Sequence, residues 1–201
     1  MPPPTCPDEE YFRAIPWCAA VLSSPSTYPE PFPSREYKPA TTEDALFGTT
    51  LRTSKTIAAL LGIRQRRRPA DTSDEAVLVA LAALGSGLNG FPHMCHGGAV
   101  ATLLDEVTGA VVGINQEQEK KRLKEGVVSA AERWWTAGSF VTAYLNVKYK
   151  RPVRTPQVVL LEARLVDRGE RKCKIETQVR DKDGTVLAES DGMFVRLKEK
   201  L

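Results

Sequence analysis

The chain has 201 residues, of which 42% are hydrophobic and 26% charged, with a formal net charge of +3. That length suits one sizeable domain with decorations rather than two independent cores. A charge so near zero gives no ground for a nucleic-acid partner, though a small anionic ligand stays open. No apolar run approaches the roughly 18 residues of a membrane span, so no membrane partner is expected. The opening Met1-Pro2-Pro3-Pro4 lacks the order of a secretory signal, and Asp8-Glu9-Glu10 argues against a transit peptide. A cytoplasmic location is expected, with a mitochondrial one left open. Cys6, Cys18, Cys95 and Cys173 have no paired spacing, which points to reduced thiols.

Ten of the fourteen prolines fall within residues 1–44, so this arm is not regular structure throughout. One short helix is expected after Asp8, where Tyr11, Phe12, Ile15, Cys18, Ala19 and Leu22 recur at spacings of three and four. Ser24 to Pro39 reads as a disordered stretch. Phe12, Trp17 and Phe32 would be wasteful apolar surface in water, so the arm is expected to strap across a core.

Residues 45–68 fit neither period. Leu46, Phe47, Leu51, Ile57, Leu60, Leu61 and Ile63 leave strand and short helix open. The run Arg64-Gln65-Arg66-Arg67-Arg68 reads as a solvated loop, or as planar donors for the phosphates of an anionic ligand. Beyond Glu75 the chain is only Ala, Val and Leu as far as Leu84, and Gly85, Gly87 and Gly90 then break it. This predicts a strand leading into a tight, irregular loop.

His96-Gly97-Gly98 stands at the mouth of the next element, a helix predicted from about Gly97 to near Asn115. Val100, Leu103, Leu104, Val107, Val111 and Ile114 form its apolar face, with Ala99, Ala101, Gly109 and Ala110 suited to close packing. Asp105 sits inside this small, apolar run. Asp105 and Glu106 are about 100° apart on a helix, so one is expected to face a site and the other to bond locally or reach solvent. Residues 116–124 are charged throughout and read as a solvated helical or loop insertion, which Trp134-Trp135 end near 138. Phe140 to Lys150, Gln157 to Asp167, Lys172 to Asp181 and Thr185 to Leu197 are strand runs. The turn residues between them predict consecutive antiparallel hairpins. Cys173, Ile175, Thr177 and Val179 alternate with polar neighbours, so that strand buries one face.

The order His96-Gly97-Gly98, then Leu104-Asp105, then Thr142-Ala143-Tyr144-Leu145-Asn146-Val147-Lys148-Tyr149-Lys150-Arg151-Pro152 resembles the hotdog-fold thioesterases. The branch is the one with the phenylacetic-acid-pathway and mammalian mitochondrial thioesterase-superfamily enzymes. The resemblance covers roughly residues 76 to 197. It divides the chain into the arm, 1–44, and a domain over 45–201 with the insertion at about 116–138. It implies an α+β hotdog fold, an antiparallel sheet wrapped around a long central helix, and a homodimer or dimer of dimers. The implied activity is metal-independent and cofactor-free hydrolysis of acyl-coenzyme A or acyl-carrier pantetheine thioesters. Carried over, Asp105 is the nucleophile or the base on a water, and Gly97 offers its N–H to the thioester oxygen. His96 positions that turn, and Thr142 lies near the carboxylate or holds the water. Many relatives place an Asn six residues before the His; here that position is Gly90, with Asn89 one residue off. Asn89, Gly98, Tyr144, Lys150 and Arg151 make up the substrate-binding set, the two bases for phosphate contacts.

Elementary chemistry supports the same residues. Free N–H groups and the positive end of the dipole at a helix N-terminus suit a developing oxyanion, and glycine lets a carbonyl approach. Gly97 and Asp105 are eight residues apart, roughly 12 Å along one helix, whereas attack needs roughly 3 Å. Two antiparallel helices across a two-fold axis could instead pair the glycine of one subunit with the carboxylate of the other. Weighed against this are a ring of His96 that only bonds the turn, a Cys95 nucleophile, and a metal site from His93, Cys95, His96 and Asp105. A hotdog dehydratase or lyase acting on an acyl thioester and a non-catalytic acyl-thioester binding domain are the rival functions.

Overall fold

The computed structural model describes residues 6–65, 77–126 and 138–197. Its centre is a seven-stranded sheet paired antiparallel throughout, with one long helix across its inner face and two short helices on its outer face. In chain order the elements are α1 (Pro7–Arg13), α2 (Pro16–Leu22), β1 (Thr27–Pro31), β2 (Ile57–Gln65), β3 (Val77–Leu84), β4 (Asn89–Phe91), β5 (Met94–Cys95), α3 (Gly97–Lys124), β6 (Phe140–Tyr149), β7 (Gln157–Arg168), β8 (Lys172–Arg180) and β9 (Val186–Arg196). The sheet order is β1-β2-β3-β7-β8-β9-β6, and β4 and β5 form a separate small hairpin. This is the α+β hotdog architecture that the resemblance implied.

The unbroken Ala/Val/Leu run is β3 because both of its faces are covered. Leu78, Ala80 and Ala82 meet the inner core under α3, and Leu81 and Ala83 meet the outer core under α1 and α2. β8 keeps its alternation, burying Cys173, Ile175, Thr177 and Val179. Of the segment 45–68, the described residues 45–65 hold a π-turn, Leu46–Thr50, followed by β2.

Four expectations are corrected. The arm holds two helices, because Pro7 and Pro16 each occupy a first helical position, where a missing N–H costs nothing. Ser24 to Pro39 is not disordered throughout: β1 pairs with β2, with Pro29 and Pro31 tolerated on an edge strand. The hairpins are not all consecutive. β6 pairs with β9, whereas β7 turns away to pair with β3. The link 150–156 carries Pro152 and Pro156, which cannot make a tight hairpin, and it runs along β5, with Cys95 N–H donating to Val153 O (2.8 Å). Finally, α3 continues through the charged segment to Lys124. There Glu119 is buried and accepts from Arg168 at 3.1 Å and Arg122 at 3.4 Å. The rest of the insertion to residue 137, Trp134 and Trp135 included, lies outside the described residues, as do Arg66 to Arg68.

By length and composition α3 is apolar enough to cross a membrane, which the sequence reading overlooked. Its Val100, Leu103, Leu104, Val107 and Val111 are buried against the sheet, the place of a core helix.

The arm is anchored by Arg35. Its buried guanidinium donates to Asp8 Oδ2 (3.2 Å), Phe47 O (3.2 Å) and Ala58 O (3.4 Å), and the same Asp8 oxygen accepts from Leu60 N–H (3.2 Å). Removing one partner of a buried pair strands the other charge. Arg35→Ala is therefore expected to lower unfolding free energy in urea by about 3 kcal/mol. An unchanged midpoint and slope would show that the arm is held elsewhere.

Candidate active site

The small hairpin β4–β5 delivers the chain into α3. His96 is the helix N-cap, and its Nδ1 accepts from Gly98 N–H at 2.9 Å, which leaves the ring proton on Nε2. The ring is gripped by glycines: a Cβ at Gly90 would lie 2.9 Å from the ring, and one at Gly98 would lie 3.0 Å from Nδ1. An Asn at position 90 would not fit without movement, a physical reason for the departure seen there. Asn89 Oδ1 instead accepts from Thr155 Oγ1.

Since His96 takes the Gly98 N–H, the Gly97 N–H is left without a partner among the described residues. Tyr149, at the end of β6, donates its hydroxyl to Gly97 O at 2.8 Å and stands against the glycine. Sequence reasoning missed Tyr149, which only the β6–β9 pairing carries to the helix mouth. A cavity of about 440 Å³ opens here, lined by Phe91, His96, Gly97, Tyr149, Lys150 and Arg151 among others. Lys150 also pairs with Glu189 at 3.3 Å. Tyr144 is exposed on β6 and lines neither this cavity nor the next.

The carboxylate lies elsewhere. Asp105 opens into a second cavity of about 360 Å³, walled by α3, the inner sheet and the arm. Thr142 Oγ1 donates to Asp105 Oδ1 at 2.9 Å. A bulge at Ala143, the extra residue between the pairs Thr142–Phe194 and Tyr144–Met193, sets Thr142 in place. Phe32, Leu78, Ala110, Ile114 and Phe194 make the chamber wall apolar. Gly109 and Gly113 keep the helix face low, since a Cβ at 113 would meet nothing within 4 Å. Thus the structure joins His96, Gly97 and Gly98 at one cavity and Asp105 with Thr142 at the other.

Glu106 lines the same chamber as Asp105, beside the Ser34 hydroxyl. Burial pushes its carboxyl up from 4.5; the nearby Ser34 hydroxyl opposes this, and the charges of Asp44 and Asp105 add to it. The chamber residues Phe32, Ser34, Lys38 and Asp44 come from the arm. No motif marked them, because their role depends on where the arm is laid. Cys95 is buried, which pushes its thiol up to about 11 and keeps it from being a thiolate nucleophile at neutral pH. Among the described residues no three His, Cys, Asp or Glu side chains converge on a metal position.

Because the folded chain holds the Glu106 proton more tightly than the unfolded chain does, this group's contribution is fully present below 4.5 and is lost as pH rises through its raised value. Glu106→Gln should therefore gain stability relative to the parent as pH climbs above 4.5 and then level off. Urea unfolding across pH 4 to 8 checks this; a difference constant with pH would show that the carboxyl is not desolvated.

Residues 93–188 match the thioesterase superfamily. The chain is 33% identical over 139 residues to verlamelin biosynthesis protein B of Lecanicillium sp, covering 61% of this chain and 58% of that protein. It is 31% identical over 126 residues to acyl-coenzyme A thioesterase THEM4 of Bos taurus, covering 62% of this chain and 43% of that one. It thus spans about half the length of the curated relatives it matches. A hypothetical thioesterase from Streptococcus pneumoniae TIGR4 with coenzyme A is similar at 14% identity and a TM-score of 0.47, covering 62% of this chain and 81% of that one. The segment that carries the helix mouth, the carboxylate and strands β6 to β8, residues 93–188, is thus the part of the chain that matches the thioesterase superfamily.

Proposed function

We propose that the protein hydrolyses acyl thioesters, of coenzyme A or of carrier-protein pantetheine, at a site built from two copies of the chain. The observation that carries this is the division of labour along α3. Gly97, whose N–H meets no partner among the described residues, lines one cavity and Asp105 another, with roughly 12 Å of helix between them. A second copy laid antiparallel would set one subunit's glycine opposite the other's carboxylate. The sheet ends on β6, a ten-residue edge strand with Val141, Tyr144 and Tyr149 exposed. Such an edge is a natural place for a further strand to add.

In this reading the thioester oxygen sits against Gly97 N–H, at the positive end of α3. Thr142 holds one oxygen of Asp105, leaving Oδ2 to act. As a base, Asp105 takes a proton from water while the water oxygen adds to the carbonyl carbon. The C–S bond then breaks and the thiol leaves with the proton. As a nucleophile, Asp105 would itself add to that carbon and expel the thiolate, and water would then hydrolyse the resulting anhydride, freeing the acid and Asp105, with a proton from water going to the thiolate. Lys150 and Arg151 at the mouth of the His96 cavity suit the phosphates of the carrier thiol. No metal or other cofactor has a part in the reaction, and a cytoplasmic location belongs to the same proposal.

Asp105→Asn should cut kcat by roughly 10²–10⁴-fold and change KM little in a thiol-release assay with acyl-CoA substrates. Wild-type turnover by this variant would overturn its role. Saturable binding without turnover in the parent would favour a non-catalytic binding domain. The shared site has its own test. Asp105→Asn and Gly97→Val chains, each inactive alone, should recover about a quarter of parental activity when refolded together, since half the dimers are mixed and each holds one intact site. No recovery from a mixture that does form mixed dimers would place each site within one chain.

A further inference from the structure

The chamber beside Asp105 is not uniformly apolar. Ser34, in the short 3-10 turn Pro33–Arg35 of the arm, is only 6% exposed and lines the wall. Among the described residues its buried Oγ meets no partner at full hydrogen-bond geometry, although it lies near enough to the Glu106 carboxyl to favour that group's charged form. The turn is not free to carry the hydroxyl out to water, because the next residue is Arg35, tied to Asp8, Phe47 and Ala58. A buried hydroxyl left without a partner costs about 1–3 kcal/mol, so something that enters the chamber is the natural means of satisfying it.

Glu106 projects from α3 into the same chamber, one residue on from Asp105. The basic groups along the chamber are already engaged: Lys38 Nζ of the arm binds Asp44 Oδ2 at 2.7 Å and Glu43 Oε1 at 2.9 Å, and Arg64 of β2 pairs with Glu30 at 3.0 Å. Beside Asp105, Ser34 and Glu106 are chamber polar groups that carry no ion pair among the described residues, and they are set among Phe32, Leu78, Ala110 and Phe194.

Building on the hydrolysis reading, we propose that this chamber takes an acyl chain bearing a hydroxyl group, which hydrogen-bonds to Ser34 and Glu106. A hydroxyl both donates and accepts, as this pair requires, and it is small enough to sit in an otherwise apolar wall. A carboxylate on the chain would be repelled by Asp44 and Asp105. An ammonium is less suited, because burial favours the uncharged form of Glu106. An unsubstituted chain would fill the volume but leave Ser34 without a partner.

The test compares acyl-CoA substrates of equal chain length, one unsubstituted and the others with a single hydroxyl moved along the chain. For at least one hydroxyl position, kcat/KM is expected to exceed that of the unsubstituted chain by about tenfold, the worth of one hydrogen bond to a buried partner. Ser34→Ala should collapse that ratio toward one, Ser34→Thr should retain much of it, and Glu106→Gln should reduce it. Thermal unfolding confirms that each variant is folded. Equal kcat/KM for every substrate in the parent would overturn the inference and leave hydrolysis standing. So would a Ser34→Ala variant that slows all substrates by the same factor. If no thioester is turned over, the hydrolysis reading itself fails. Calorimetric binding of the free hydroxy acid and its unsubstituted counterpart then decides the inference: tighter binding of the hydroxy acid, lost in Ser34→Ala, sustains it, and equal affinities overturn it.

Discussion

Everything at the site depends on the rotation of α3 against the sheet. Leu104, Val107 and Val111 are fully buried, and their spacings of three and four pin one stripe of the helix to the inner face. With that stripe fixed, Asp105 and Glu106 are set toward the chamber, and Gly109 and Gly113 follow on the same wall. Both ends of the helix are also held. His96 caps the first turn and Tyr149 holds Gly97 O, while buried Glu119 ties the far end to Arg168 on β7. Helical rise keeps the N-terminus roughly 12 Å along the axis from Asp105 however the helix is set against the sheet. Packing decides which wall each residue meets, and so which cavity it lines.

The sheet does two jobs at once. Its inner face holds α3, and its outer face at β2 and β3 is covered by α1 and α2. The arm that supplies those helices then turns over the edge as β1 and supplies Phe32 and Ser34 to the chamber. Arg35 and Asp8 link the two roles, since one ion pair joins the outer helix to the turn that lines the chamber. Chamber shape is in this way coupled to the stability of a proline-rich segment far from the motif.

Two neighbouring carboxyls on one helix meet different surroundings. Asp105 accepts from the Thr142 hydroxyl, and Glu106 is desolvated beside the arm. A pair of acids whose environments differ is suited to different tasks. In the proposed hydrolysis the first serves attack or proton removal, and in the proposed chamber the second serves recognition by hydrogen bonding.

The strands after residue 140, the alternation of β8, the unbroken apolar β3 and the start of α3 at His96-Gly97-Gly98 were legible in the sequence, because each rests on local periodicity or local turn chemistry. Asp105 stood out as a charge among small apolar residues, and the helical rise alone separated it from Gly97. Tertiary contacts decided the rest. Pairing of β6 with β9 rather than β7 depends on partners far apart in the chain, and it is what brings Tyr149 to Gly97. The extension of α3 to Lys124 depends on Arg168 meeting Glu119. Ser34 and Phe32 have no motif at all; they became chamber residues because a buried Arg35 holds the arm where it does. Periodicity reports which face of an element is apolar, but only the assembled sheet determines which distant residue that face meets.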